Sequence, residues 1–335
     1  MQKFDSLQKI SVNILMLKLV GLWPEKRGSY KPNLYTLYAF ISVVGIMGSH
    51  NFFQTMNICF VYKDLEALAA SIFITTTDVL VSVKMCFFIQ NINIVKKVIL
   101  SLNDDAFQPK SKKQVQMLRS SLNFWKLVYV WYFAMVGITS TIWLILPILT
   151  GTFQNKQLPL DAWYFYNTTT SPLYEITYVY QCVAIAFLVV STINIDSLIL
   201  AMMIYIIGQC DNLCDSLKHL EVNEKQNVHK WIIKCIKHHK KILSFAEDGN
   251  QFFDKIILGQ FATSTAVLAS TMFQLSLVNP FSAEGLIRIL YTMAVTTQIF
   301  IYCWFGNEVE LKVRTIIIYM SRYGSKWNFR SIFRM

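Results

Sequence analysis

The stretch LYEITYVYQCVAIAFLVVSTINI, residues 173–195, carries Glu175 as its single charged side chain. An α-helix rises ~1.5 Å per residue, so about 20 apolar residues in a row are enough to cross the hydrocarbon core of a bilayer. The stretch does not alternate between apolar and polar residues, as a strand of a membrane β-barrel does. It therefore predicts a transmembrane helix.

Five more stretches have this length and apolar character, at residues 34–61, 69–92, 124–151, 256–278 and 285–305. The chain is 54% hydrophobic and 15% charged, whereas soluble domains carry about 25% charged residues. In lipid, a helix satisfies its own backbone hydrogen bonds. No cleaved signal peptide is expected, because residues 1–10 are polar. Residues 1–305 are therefore predicted to form an all-α integral membrane protein, a helical bundle with six transmembrane helices.

Lysine and arginine are distributed unevenly between these helices. Most of the 31 lie in the N-terminal region, after the second helix, after the fourth helix and in the C-terminal tail, and the alternate loops hold only Lys63 and Lys156. Cytoplasmic loops near membrane helices collect positive charge, so both termini are predicted to be cytoplasmic. This topology accounts for the net charge of +11, and no nucleic-acid partner is expected.

The loop between the third and fourth helices, which the charge distribution places outside, contains Asn167-Thr168-Thr169. This is the acceptor pattern for N-glycosylation, so Asn167 is the candidate glycosylation site. The seven cysteines lie within or at the ends of predicted helices, or on the inner side. No disulfide is therefore expected in the outer loops.

The segment at about 208–251 is too long for a turn and is patterned like a helix. Apolar residues recur near helical spacing with lysines between them: Val228, Trp231, Cys235, Ile242 and Ala246. Such a pattern predicts a helix with one apolar face that extends the fourth and fifth transmembrane helices into the cytoplasm. The apolar face could pack within the chain or between subunits.

No catalytic motif is found, since the sequence has no His-Glu-x-x-His, no glycine-rich phosphate loop and no Gly-x-Ser-x-Gly. The chain is therefore not expected to be an enzyme, and no cofactor is expected. His219, Cys235, His238 and His239 crowd a lysine-rich helix without the spacing of metal ligands. This pattern favours a solvated helix face over a metal site.

Asp78 lies inside the second predicted transmembrane helix, where a charge is costly unless it is paired or hydrated. Lys84 is six residues further on and faces away from Asp78 on a helix. Two interpretations stay open. Either Asp78 meets water in an outer cavity, or it lies nearer the membrane interface than the predicted boundary suggests.

Four stretches carry a family resemblance: LPLDAWYFYNTTTSPLYEITYVYQ (158–181), GQCDNLCDSLKHL (208–220), CIKHHKKILSFAEDGNQFFDKIILGQF (235–261) and YCWFGNEV (302–309). In this order they resemble the successive motifs of insect odorant receptors. The first 150 residues agree with that family in helix layout more than in motif. The stretches SPLYEITYVYQ and YCWFGNEV favour odorant receptors over the related gustatory receptors.

The resemblance implies a seven-helix subunit of an odorant-gated, nonselective cation channel. It further implies a heterotetramer with the family's odorant coreceptor, surrounded by membrane lipid in the plasma membrane of olfactory sensory neurons. Residues 208–251 would then include the cytoplasmic anchor helices between subunits. Small volatile apolar ligands would bind in a cavity in the outer half of the bundle.

Candidate cavity residues follow from the resemblance by position, depth and helical face: Phe73, Thr77, Thr139, Trp143, Tyr178, Cys182 and Tyr291. Each could instead fill the bundle by packing alone, as aromatic residues commonly do. A small volatile molecule offers mainly apolar burial, at ~25 cal/mol per Å². The shape of aromatic side chains and one or two polar groups would therefore select the ligand.

The resemblance also implies a further inner helix and a pore-lining seventh helix after Val309. The longest apolar run after that residue is 316–320, which is too short to cross a bilayer. Residues 306–335 are therefore expected to form a basic, frayed cytoplasmic tail in place of the last helices. The alternative function is a truncated, non-conducting receptor that at most binds the coreceptor and gives no odour-evoked current.

Overall fold

The computed structural model describes residues 4–24, 33–222 and 228–327, and within these ranges it is helical with no strand. Short 3₁₀ turns occur at Asp105–Phe107 and Thr152–Asn155. The longer elements are α1 (Leu7–Leu19), α2 (Leu34–Phe40), a π-helical segment (Ile41–Gly48), α3 (Ser49–Val61), α4 (Leu65–Gln90), α5 (Ile92–Ser101), α6 (Lys112–Leu149), α7 (Leu173–Val222), α8 (Val228–Leu277) and α9 (Ala283–Trp327).

Six helical stretches in the described residues are long and apolar enough to cross a membrane, as the sequence predicts. The first runs continuously from α2 through the π-helical segment to α3, and the others belong to α4, α6, α7, α8 and α9. Large apolar side chains point outward from the bundle, including Trp131, Ile176 and Leu258. An apolar exterior of this kind suits contact with lipid tails. The chain is therefore a multi-pass membrane protein.

Helix α7 is the central element, because it packs against α1, α4, α6, α8 and α9. Its middle part is buried on nearly every side, and Leu198 and Ile199 are fully buried there. Apolar residues cover most of this part, as in a helix inside a bundle. The first turns of α7 are different, since Ile176 and Val179 are exposed at the end that carries the 150–172 loop. We call this the outer end, following the charge-based prediction, and the opposite one the inner end.

The inner end is packed with aromatic residues. Phe107 lies edge-on to Tyr205 and Phe245, with ring centroids 5.7 and 5.8 Å apart. Two buried aromatic residues have backbone partners: Tyr205 donates to Leu102 O at 2.6 Å, and Trp125 Nε1 donates to Ser197 O at 2.9 Å. This arrangement satisfies the polar edges of the aromatic residues in an apolar environment.

The predicted apolar face of the 208–251 segment packs within the chain. Cys235 and Ile242 are buried, and Trp231 donates its indole N–H to Ser216 O at 3.3 Å. The extension also goes beyond the prediction, because α6 begins at Lys112 and lengthens the third transmembrane helix at the same end. Helices α6, α7, α8 and α9 therefore continue past the predicted membrane boundaries into one helical layer.

Helix α1 was not predicted from the sequence. It packs against α7, burying Ile10 and Leu17, and the amide of Asn13 donates to Asn194 O at 2.9 Å. The chain then turns at Gly21, whose φ of +85° lies in the left-handed region. A Cβ atom on Gly21 would be 2.8 Å from the Cα atom of Ala39, so the turn needs glycine for both conformation and space.

The expectation of a frayed tail after residue 305 is wrong for residues 306–327. Helix α9 continues without interruption to Trp327. Ile316 is fully buried, and Lys312 Nζ lies 2.7 Å from Asp211 Oδ1 on α7. Buried contacts and an ion pair to α7 stabilise this part of α9, although its sequence mixes basic and apolar residues. Residues 328–335, with Arg330 and Arg334, lie outside the described residues.

Candidate ligand-binding cavity

A cavity of about 140 Å³ lies between α4, α6, α7 and α9 in the outer half of the bundle. An apolar cavity of ~150 Å³ in another protein holds one benzene molecule. The size therefore suits a molecule with a single ring or a short branched chain. Most of the wall is apolar, with Ile74, Val136 and Leu188 contributed by α4, α6 and α7.

Three aromatic rings form the outer part of this site. The ring centroids of Phe73, Trp143 and Tyr291 lie 5.8, 5.4 and 6.0 Å apart pairwise. Tyr291 shares a hydrogen bond of 2.5 Å with Thr77, and Trp143 Nε1 donates to Pro159 O at 3.3 Å. These bonds fix the orientation of the Tyr291 and Trp143 rings. We call Phe73, Trp143 and Tyr291 the aromatic triad.

A second cavity lies on the outer side of the triad. It shares Ile74, Trp143 and Leu160 with the first cavity, and its own wall includes Phe73. Charged residues line it as well: Asp161, Glu284 and Arg288. The triad and Leu160 therefore separate an outer polar cavity from an inner, mostly apolar one.

Gln181 on α7 holds the 150–172 loop at the outer end of the cavities. The fully buried Gln181 side chain accepts from Leu160 N at 3.2 Å and donates to Leu160 O at 2.9 Å. Its amide also lies 3.1 Å from the hydroxyl oxygen of Tyr164. Because a buried backbone needs partners, this amide pairing is what allows Leu160 to enter the bundle.

The inner side of the cavity ends at a buried carboxylate, Asp196 on α7. Its Oδ1 atom accepts from Lys84 Nζ at 2.7 Å and from the Tyr302 hydroxyl at 2.8 Å. Its Oδ2 atom accepts from the Tyr132 hydroxyl at 3.3 Å and from the amide of Gln298. Tyr132 and Gln298 also line the cavity. We call these five residues the Asp196 network; it joins α4, α6, α7 and α9.

The structure brings four of the seven predicted cavity residues to the cavity wall: Thr77, Thr139, Trp143 and Tyr291. Phe73 lies beside them in the triad and lines the outer cavity. Tyr178 and Cys182 are not part of either wall; Tyr178 packs against Phe153 and donates to Leu144 O at 2.6 Å. A role in ligand contact stays a prediction for all seven.

Sequence reasoning missed Asp196, because the fourth transmembrane helix was predicted to end at residue 195. Its partner Lys84 was seen as a charge within a predicted helix, and the structure shows that its Nζ atom is bound to Asp196. The available signal was a lysine inside one apolar helix, Lys84, together with an acid at the predicted end of another apolar helix, Asp196. Nothing in the sequence around Tyr132 or Gln298 indicated that these residues donate hydrogen bonds to Asp196.

Asp78 lies in the wall of the inner cavity. Both interpretations of its environment stay predictions. Its Oδ2 atom is 3.7 Å from Nε2 of His50, a fully buried residue of α3. This distance is too long for a hydrogen bond. The backbone oxygen of Asp78 accepts from Asn51 at 3.1 Å, which ties α4 to α3.

The predicted solvated face at His238 is wrong, because this residue is buried. Its Nε2 atom lies 3.1 Å from Gln209 Oε1, and its ring packs near Phe107. Within the described part of the chain, no group of three histidine, cysteine or acidic residues could hold a metal ion. The side chain of His219 lies outside the described residues.

Comparison with known proteins gives a consistent family. Residues 64–327 match the family model described as 7tm Odorant receptor. Odorant receptor Or1 of Anopheles gambiae is 25% identical over 339 residues, covering 92% of this chain and 79% of that protein. Odorant receptor 46a, isoform A, of Drosophila melanogaster is 21% identical, covering 93% of this chain and 81% of that protein.

Solved structures show the same fold. The insect olfactory receptor OR5 from Machilis hrabei superposes with a TM-score of 0.82 at 20% sequence identity, covering 92% of this chain and 82% of that one. Its complex with eugenol also gives a TM-score of 0.82, at 18% identity. Odorant receptors are not enzymes, which agrees with the lack of a catalytic motif in the sequence. The family model covers well over half of the sequence, and the chain therefore belongs to the odorant receptor family.

Proposed function

We propose that this chain binds small volatile ligands in the cavity between α4, α6, α7 and α9. We further propose that binding gates a nonselective cation channel that the chain forms with the family's coreceptor in the plasma membrane of olfactory neurons. The observation that carries the proposal is the ring-sized cavity next to Trp143 and Tyr291. A structural relative that has been solved with eugenol, a single-ring compound, supports it.

The cavity provides the kind of binding energy that a volatile molecule can use. Apolar burial contributes about 25 cal/mol per Å², and very small ligands reach at most ~1.5 kcal/mol per non-hydrogen atom. A ligand with about eight such atoms at roughly 1 kcal/mol each would bind near 1 μM. Trp143, Tyr291 and Tyr132 provide flat apolar surfaces for such a ring.

The Asp196 network offers a route from ligand to gate. A ligand in the cavity touches Tyr132 and Gln298, which hold the carboxylate of Asp196 together with Lys84 and Tyr302. A ligand shifts a conformational equilibrium only through different contacts in the two states. A change in the position of Tyr132 or Gln298 would alter the contacts that join four helices.

The test is to express the full chain with the coreceptor in cultured cells and to record currents while applying single-ring volatiles. Val136→Phe should fill the cavity and reduce the apparent affinity at least tenfold. Val130→Phe is the matched control on the same helix, because Val130 is exposed on the outer face of the bundle. Equal effects of the two substitutions would contradict ligand binding in this cavity.

Binding should also be measured on the purified chain, because the alternative raised by the sequence is a non-conducting receptor that at most binds the coreceptor. Calorimetric titration of the wild type and of Val136→Phe separates the two. Specific binding without current would support the binding part of the proposal and contradict the gating part.

A further inference from the structure

The cavity wall contains one charged residue among the described residues that line it, Asp78. Its side chain is 15% exposed, and its carboxylate accepts no hydrogen bond from the described residues. Lys84 is not available as a partner, because it is bound to Asp196. A carboxylate in a mostly apolar cavity is costly unless a donor or a cation meets it.

The polar groups around Asp78 do not meet this need. His50 Nε2 lies 3.7 Å from Asp78 Oδ2, which is beyond hydrogen-bond distance, and most hydroxyls of the wall have already donated their hydrogens. Thr139 donates to Met135 O at 2.9 Å, and Ser140 donates to Val136 O at 2.8 Å. Thr77 donates to Phe73 O at 3.0 Å, so in its bond with Tyr291 the tyrosine must be the donor.

The inner side of the wall shows the same pattern. Tyr132 and Gln298 both donate to Asp196, and Gln298 Oε1 accepts from Gln260. The hydroxyl of Thr192 has no hydrogen-bond partner in the described part of the chain, so it can either donate or accept. The wall therefore offers more acceptors than donors to a molecule inside it.

We propose that Asp78 selects ligands by accepting a hydrogen bond from them. The preferred ligand then combines an apolar body of about one ring with a hydroxyl or ammonium group. This inference rests on the proposed function and specifies its ligand class. Ligands with acceptors only, such as ethers, leave the carboxylate without a partner and face a wall with few donors.

The test uses four probes of similar size: benzyl alcohol, benzylamine, anisole and toluene. They differ in whether they carry a neutral donor, a cation, an acceptor only or no polar group. Calorimetric titration of the purified full chain should show benzyl alcohol or benzylamine binding at least tenfold tighter than anisole and toluene. Hydrogen bonds to charged groups are stronger than neutral ones by enough to give this factor.

Two variants separate charge from hydrogen bonding. Asp78→Leu should reduce the affinity for the donor probes about tenfold while leaving toluene binding unchanged or tighter. Retained toluene binding also shows that the cavity has folded. Asp78→Asn keeps an acceptor, so it should weaken benzylamine about tenfold and benzyl alcohol less than threefold. Asp254→Asn is the matched control, because Asp254 is exposed on α8 and does not line the cavity.

The outcomes distinguish this inference from the proposed function. Binding of none of the four probes would contradict the proposed function. Binding of all four with similar affinity, or a preference for benzyl alcohol that survives in Asp78→Leu, would contradict only the role of Asp78. If Asp78→Leu weakens benzylamine but not benzyl alcohol, the ligand class is the protonated amine alone; if it weakens both, hydroxyl compounds belong to the class as well.

Discussion

Lys84 Nζ on α4 lies 2.7 Å from Asp196 Oδ1 on α7, and the two side chains are 1% and 2% exposed. Two charges removed from both water and lipid headgroups are stable only if each is fully paired. The hydroxyls of Tyr132 and Tyr302 and the amide of Gln298 provide the remaining partners of the carboxylate. The pair and these partners therefore fix how α4, α6, α7 and α9 meet at the inner end of the cavity.

Replacing one member of this pair should strongly destabilise the fold. Lys84→Met leaves the buried carboxylate of Asp196 without its cation, and removing one partner of a buried pair costs about 3–5 kcal/mol. We expect a lower melting temperature in detergent and less protein at the cell surface. The double variant Lys84→Met/Asp196→Leu should recover much of the loss, because no buried charge then remains.

Lys97→Met is the matched control for this experiment. Lys97 Nζ lies 2.8 Å from Asp248 Oδ2, but the lysine side chain is 68% exposed. An exposed ion pair contributes about 0–1 kcal/mol, so the melting temperature should change little. Equal losses for Lys84→Met and Lys97→Met would show that burial does not decide the effect.

Trp143→Ala should change the size of the ligand that the receptor accepts. Trp143 lines both the inner and the outer cavity, so removing its indole joins them. Single-ring ligands should lose about tenfold in affinity, since they lose an aromatic contact, and two-ring ligands should gain affinity. Trp131→Ala on the same helix is the control, because Trp131 faces outward. An unchanged size preference in Trp143→Ala, measured by titration, would contradict the role of the aromatic triad.

Gly21→Ala should reduce the yield of folded receptor. The added methyl group would meet the Cα atom of Ala39 at 2.8 Å, and φ at this position is +85°. Both effects oppose any residue other than glycine. Gly137→Ala provides the comparison, because a Cβ atom there meets nothing within 4 Å. It should be neutral or stabilise α6 by up to about 1 kcal/mol. Surface expression and thermal stability of both variants decide the question.

The topology can be tested at Asn167 and at the C-terminus. Asn167 is exposed in the 150–172 loop, where its Oδ1 atom accepts from Thr169 N at 2.9 Å. If this loop is outside, Asn167→Gln should abolish a glycosidase-sensitive shift in gel mobility. An epitope tag after Met335 should be detected only in permeabilised cells. Staining of that tag in intact cells would contradict the predicted orientation of the termini.

The six transmembrane helices could be predicted from the sequence because each is a long apolar block, and the bilayer selects for that length. Thr77, Trp143 and Tyr291 could be placed near a cavity because the resemblance to odorant receptors implies one, and these residues match it by position, depth and helical face. Tyr178 could not be excluded in this way, since depth does not tell which neighbour a helix face meets. Its ring instead packs against Phe153.

The parts that the sequence did not predict depend on contacts between distant segments. The pairing of Lys84 with Asp196 joins helices far apart in the chain, and helical periodicity carries no information about it. Residues 306–327 mix basic and apolar residues in the sequence, and contacts with α7 order them. Lys312 pairs with Asp211 of α7, and Ile316 is buried. Helix α1 was missed for the same reason, because its apolar side is short and is completed by α7.

The most direct measurement is a cryo-EM structure of the full chain at saturating benzyl alcohol. We expect density for one ligand in the cavity, against Trp143 and Tyr291, with its hydroxyl within hydrogen-bond distance of Asp78. An empty cavity together with ligand density elsewhere on the receptor would contradict the central claim that this chain binds its ligand between α4, α6, α7 and α9.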